Sequence, residues 1–182
     1  MSKNQKNGLR NVKVLTTAAM LGALSVVIGI FCKNFLNFGN GLFRITFENF
    51  PIILSGIMFG PVVGACVGAA SDVVSYFLST QSLAITPIVT IGAALIGAVS
   101  GVVSHYIVKK EGVWRIILSA LSAHAVGSMI VKSFGLYVYY GWGVLVRIPL
   151  YIVIAAVEIT LMCLIFKNKA FSKLIFGKGE LK

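Results

Sequence analysis

A handful of ionisable residues stand inside otherwise apolar runs of this chain: Lys33, Arg44, Glu48, Asp72, Lys132, Arg147 and Glu158. Ionisable groups in such surroundings are costly, so they mark a pathway, a pairing or a binding site. Arg44, Lys132 and Arg147 supply three cations against the two carboxylates of Glu48 and Asp72. A surplus of positive charge in a partly desolvated pocket calls for an anionic ligand, and a guanidinium is shaped to clamp a carboxylate at two points. Aromatic residues stand close by in sequence, among them Phe35, Phe38, Phe43, Tyr76, Tyr137, Tyr140 and Trp142. A ligand with a planar heterocycle at one end and carboxylates at the other would satisfy both sets. Two plainer readings stand beside this one. Glu48 and Arg44, four residues apart, would pair across one helical turn. Tyr137, Tyr139, Tyr140 and Trp142 would also suit an interfacial aromatic belt.

Catalytic chemistry finds no comparable set. His105 and His124 would lie about 29 Å apart along a helix, and neither has a cysteine or carboxylate at metal-ligand spacing. His124, among Ala120, Ala123 and Gly127, reads as a packed interior group. There is no phosphate-binding Gly-Lys-Ser/Thr loop and no nucleophile elbow. The chain is therefore expected to be no enzyme, to need no cofactor or metal, and to rely on a partner for any uphill transport. Cys32, Cys66 and Cys163 lack ligand-like spacing and read as small packing residues.

The elements that must position these groups are membrane helices. The chain is 58% hydrophobic and only 12% charged, against about a quarter charged for soluble domains, and its mean hydropathy is +0.94. Apolar segments of roughly 20 residues, the length that crosses a bilayer, fill most of it. They place helices at about 13–32, 45–59, 62–78, 83–108, 113–136 and 144–166. The expected fold class is an all-α membrane protein, a six-transmembrane-helix bundle forming a single membrane domain over residues 1–182. The basic start followed by an apolar run lacks a small-residue cleavage pattern, so it reads as a retained first helix. Gly60-Pro61 predicts a sharp turn between segments two and three.

The net charge of +11 is not spread as on a nucleic-acid surface. Lys3, Lys6, Arg10 and Lys13 precede the first segment, and Lys109, Lys110 and Arg115 flank the central loop. Lys167, Lys169, Lys173, Lys178 and Lys182 fill the tail. Basic loops face the cytoplasm, which puts both termini there and favours contact with anionic lipid. At about 1.5 Å per residue, Glu48 lies about 18 Å and Asp72 about 16 Å from the Gly60 turn. The same count puts Arg44, Lys132 and Arg147 in the outer half and only Glu158 near the middle. The layout is that of a pocket open to the outside.

Small residues recur four apart: Gly60, Gly64 and Gly68, with Ala65 and Ala69 beside them; Ala93, Gly97 and Gly101; and Ala19 and Ala23. Such spacing lets helix backbones approach closely in lipid. Most of it reads as packing inside the bundle. Ala19 and Ala23 are the best candidates for docking a partner protein.

The stretch Arg44-Ile-Thr-Phe-Glu48, with Pro51, Gly56, Gly60-Pro61, Gly64, Gly68 and Asp72, resembles the second and third helices of S components. Those are the vitamin-capturing subunits of energy-coupling factor (ECF) transporters. The runs Lys132-Ser-Phe-Gly-Leu136 and Arg147-Ile-Pro-Leu-Tyr151 are similar to the folate-specific branch. The resemblance implies a high-affinity folate-binding subunit of an ATP-driven importer, working with a transmembrane scaffold protein and two ATPase subunits. The scaffold would dock on small residues of the first helix. Ala19 and Ala23 fit that pattern, although Val27 stands where a third alanine is expected. The expected substrate contacts are Phe38, Arg44, Glu48, Asp72, Tyr76, Lys132, Tyr140, Arg147 and Trp142. Competing readings are an S component for a thiamin precursor and a glycine-zipper protein that oligomerises into a pore.

Overall fold

The computed structural model describes residues 3–38, 43–78, 87–108 and 112–167. Helix α1 (Lys3–Phe35) leads into two short antiparallel strands, β1 (Asn37–Phe38) and β2 (Phe43–Arg44). In their register Asn37 faces Arg44 and Phe38 faces Phe43. Then come α2 (Asn49–Phe59), α3 (Pro61–Leu78) and α4 (Pro87–Val102), which runs on into a π-helical turn at Val103–Ile107. Helix α5 (Val113–Ala123), a π-helical segment (His124–Lys132) and α6 (Ser133–Tyr140) follow one another directly. A 3-10 stretch (Gly141–Val146) returns the chain into α7 (Arg147–Lys167).

Among the described residues, five helices are long and apolar enough to cross a membrane: Val12–Phe35, Pro61–Leu78, Pro87–Ile107, Val113–Tyr137 and Gly141–Lys167. The second expected span is the exception. It starts at Asn49 instead of residue 45 and has 11 residues, about 16 Å of helix against a hydrocarbon core of about 30 Å. The reason is local. Arg44 is committed to backbone pairing in β2, and Ile45 N–H donates to the Leu36 carbonyl at 3.1 Å. Arg44 and Glu48 are therefore not one helical turn apart. Residues 137–143, left between the expected helices at 113–136 and 144–166, are helical through Tyr140 and 3-10 beyond. The polar stretch Ser79–Ser82 and the tail beyond Lys167 lie outside the described residues.

The Gly60-Pro61 turn forms as its residues dictate. Gly60 has φ +94°, a region open to glycine at little cost. Its N–H closes α2 on the Gly56 carbonyl at 2.9 Å. Pro61 then opens α3, at a position that has no N–H partner to lose. The turn lays α2 and α3 side by side, with α4 packed against both. Helix α1 covers α2 and α3, while α7 packs on α5 and the π-helical segment that follows it.

Glycine brings the central helices together. A Cβ at Gly64 would strike the Gly97 backbone and one at Gly97 would strike that of Gly64. Gly68 sits on the Ala93 carbonyl, and Gly101 on the Gly60-Pro61 turn. These faces are consumed inside the bundle, so they do not serve pairing between copies. An apolar cluster including Ile52, Ile53, Ile57, Ile96, Ile116, Met162 and Phe166 fills the interior. The outer surface is apolar too, with Val62, Phe77, Trp114 and Phe134 all largely exposed. That is the surface of a protein whose solvent is lipid.

Candidate functional site

Where α1, α2, α3, α4 and the second π-helical segment meet, a crevice is lined by Ser25, Glu48, Ile52, Ser71, Asp72, Ser75, Ala93 and Lys132. Its side chains stand close enough together to leave no water-sized space between them. Glu48 ends the irregular stretch that leaves β2 and stands at the start of α2. Ser25 of α1 donates its hydroxyl to the Glu48 carbonyl at 2.8 Å. The Glu48 carboxylate lies over Gly29, where an added Cβ would come within 2.7 Å of Oε2. Gly29 is thus the gap that admits this side chain between α1 and α3.

Asp72 projects from α3 and is half-buried. Its Oδ2 accepts the Thr90 hydroxyl at 2.6 Å, tying α3 to the first turn of α4. Lys132 closes the π-helical segment and is only 5% exposed. Its aliphatic stem crosses Gly92, where a Cβ would lie 2.7 Å from Cγ. Its ammonium donates to Asn49 Oδ1 at 3.1 Å, and Asn49 is itself buried. Elements far apart in sequence therefore bring two carboxylates and an ammonium to one layer.

Phe38 and Arg44 are placed by their strand positions alone, and Tyr140 and Arg147 by their helix positions; their side chains lie outside the described structure. Arg147 can still be placed relative to Lys132. Glu158 of α7 meets His124 at 2.6 Å, and Arg147 lies 11 residues, about 16 Å, from Glu158. Lys132 lies eight residues, at most about 12 Å, from His124 along its own segment. Because α7 runs back along α5, Arg147 and Lys132 stand on the same side of the His124–Glu158 level. The cation surplus expected from sequence thus rests on Arg44 and Arg147, since among the described crevice residues the acids outnumber Lys132.

Not every expected contact joins the crevice. Tyr76 is half-buried on α3, its ring edge-on to Phe77 at 5.6 Å, and it is outside the crevice lining. Trp142 is 75% exposed and packs edge-on to Tyr137 at 5.9 Å. That pair has the placement of interfacial aromatics, whose amphipathic rings favour the headgroup region. Ala19 and Ala23 are exposed on α1. They share a row with Leu15, Val27 and Phe31, all exposed, while Ala18, Ser25, Gly29 and Cys32 face the bundle.

Sequence reasoning missed Ser25, Gly29, Ser71, Ser75, Asn49 and Thr90. Serine, glycine and threonine are ordinary packing residues in membrane helices, and only their convergence on Glu48, Asp72 and Lys132 distinguishes them. It also treated His124 as an isolated packed group. His124 pairs with Glu158, and both are fully buried.

Residues 13–177 match the family model "ECF transporter, substrate-specific component". Over 111 residues the chain is 33% identical to the folate transporter FolT of Clostridium novyi (strain NT), covering 61% of this chain and 60% of that protein. Over 67 residues it is 37% identical to the "Uncharacterized protein MG313 homolog" of Mycoplasma pneumoniae (strain ATCC 29342 / M129 / Subtype 1), covering 37% of this chain and 22% of that one. The matches thus span less than two thirds of either relative's length. A crystal structure of FolT bound with folic acid superposes with a TM-score of 0.65 at 23% identity, over 93% of this chain and 96% of that chain. At that identity the likeness shows a shared fold.

Proposed function

The chain belongs to the family of substrate-specific components of ECF transporters, and from that premise we propose that it captures folate at the layer built around Lys132. The observation that carries this reading is the convergence of Glu48, Asp72 and Lys132 on one crevice. Ionisable groups gathered at one depth of a membrane bundle mark a substrate site. The relation to a folate transporter supplies the substrate. Folate joins a planar pterin to an aminobenzoyl-glutamate, so it offers carboxylates to Lys132, Arg44 and Arg147. Its ring has hydrogen-bonding edges for Glu48 and Asp72. The crevice is closed up by its own side chains, so folate capture widens it to the size of an ordinary ligand pocket.

The crevice faces outward and both termini face the cytoplasm, in keeping with the basic residues before α1, around the central loop and in the tail. The exposed row through Ala19 and Ala23 docks on a transmembrane scaffold, which works with two ATPase subunits. Small side chains there permit close helix approach.

The direct test is mass spectrometry of small molecules that co-purify with the protein, followed by titration with folic acid. Folate is the expected passenger; a neutral or cationic one would overturn the assignment. Arg44→Ala and Arg147→Ala are expected to abolish tight binding in protein that still folds. Wild-type affinity in both would remove the pocket as drawn.

A further inference from the structure

The buried pair of His124 and Glu158 belongs to no part of the crevice, yet it occupies a telling position. Nε2 of His124 lies 2.6 Å from Oε2 of Glu158, and the two residues are 1% and 0% exposed. Burying such a pair costs desolvation that a well-packed apolar contact would avoid, and ionisable groups at this depth are rare where they have no role. His124 is the first residue of the π-helical segment and Lys132 is the last.

π-helical winding is uncommon and concentrates at functional sites. Its hydrogen bonds reach five residues back, so each turn is wider than in an α-helix. Here contacts along the segment and from α4 hold it. The Ser133 hydroxyl donates to the carbonyl of Ser128, five residues earlier, at 3.3 Å. Ser128 Oγ lies 3.4 Å from His124 Nδ1, and Gly127 lies against Gly92 and Ile96 of α4. An α-helix advances about 100° per residue, and a wider turn advances less. Any residue that reverts to α winding therefore swings Lys132 around the axis, away from Asn49 and Gly92. Glu158 grips the start of the segment from α7.

We infer that His124 and Glu158 are positioning residues for substrate capture: by pinning the start of the π-helical segment they aim Lys132 into the crevice. This rests on the reading of Lys132 as a folate contact. Loss of the pair lets the segment rewind, and the ammonium then leaves the layer it shares with Glu48 and Asp72.

The test is titration of folic acid into purified wild type, Glu158→Leu, Glu158→Gln, Lys132→Ala and the double variant Glu158→Leu/Lys132→Ala. Glu158→Leu is expected to weaken binding about tenfold. Glu158→Gln, whose carbonyl still accepts from His124, is expected to stay within about threefold of wild type. In the Lys132→Ala background Glu158→Leu should add no further loss, because the pair acts through Lys132. An equal loss in both backgrounds, or wild-type affinity in Glu158→Leu, would overturn the inference. If Glu158→Leu does not fold, His124→Phe replaces it in the same cycle, with the same expected loss and the same overturning results. Folic acid that fails to bind wild type overturns the functional reading and this inference with it. Binding by wild type with additive losses overturns this inference alone.

Discussion

Two seams run through the bundle and are built in opposite ways. Between α3 and α4 the contact is backbone on backbone, at Gly64, Gly68, Ala93 and Gly97. Between the Val113–Tyr137 span and its neighbours α7 and α2, apolar packing is joined by polar side-chain contacts, His124–Glu158 and Lys132–Asn49. The glycine contacts of the first seam fix the distance between its helices. The second uses long side chains and a widened helix, so its geometry depends on hydrogen bonds that few local changes would preserve. In lipid there is no hydrophobic drive between helices; close packing therefore carries the fold in one seam, and polar contacts carry the site in the other.

The sharpest way to break that contrast is to put a side chain into the glycine seam. Gly97→Leu would meet the Gly64 backbone, and main chain cannot step aside, so the expected cost is about 3 kcal/mol or more. Thermal unfolding in detergent should show a large drop or no folded protein. A small shift would mean that the seam is looser than the backbone contacts require.

The next test belongs to the polar seam. Lys132→Met keeps the length and apolar stem but removes the charge. It is expected to leave the melting temperature nearly unchanged while folic acid affinity falls by about 2–3 kcal/mol, a charged hydrogen bond's worth. A parallel loss of stability and affinity would instead make Lys132 a structural residue.

Gly29 lies between the two extremes. Its missing Cβ faces the far end of the flexible Glu48 side chain, with Ser75 Oγ 3.1 Å away. Gly29→Ala should therefore fold normally and shift affinity by about 1 kcal/mol as Glu48 moves. Collapse of the protein would show that α1 meets α3 as rigidly as α3 meets α4.

The smallest expected effect is that of Thr90→Val, which removes the 2.6 Å bond to Asp72. A single part-buried hydrogen bond is worth about 1 kcal/mol, so affinity should change by a few fold at most. An effect as large as that of Lys132→Met would place Asp72 at the centre of recognition.

Much of this was readable from the chain itself. Apolar segment lengths gave the membrane helices, because crossing a bilayer demands a run of about 20 residues. The Gly60-Pro61 turn was legible because the two residues restrict the backbone in complementary ways. Glycine spacing foretold close packing, and the rarity of charge in these segments singled out Glu48, Asp72 and Lys132. These are one-dimensional signals, each set by a residue's own chemistry and its near neighbours.

Other features depended on partners far away in sequence. The late start of α2 came from β-pairing between Asn37 and Arg44, which no helical pattern announces. The separation of Trp142 from the crevice, and the roles of Ser25, Gly29, Asn49 and Thr90, follow from which helix faces which. His124 and Glu158 are 34 residues apart, and each alone reads as an isolated polar residue. The sequence determined which segments enter the membrane and which charges go with them, since transfer free energy is additive along a chain. Only the tertiary structure decided which of those charges meet, because a contact depends on helix rotation and winding. In the π-helical segment that winding is held by local hydrogen bonds together with contacts from α4 and α7.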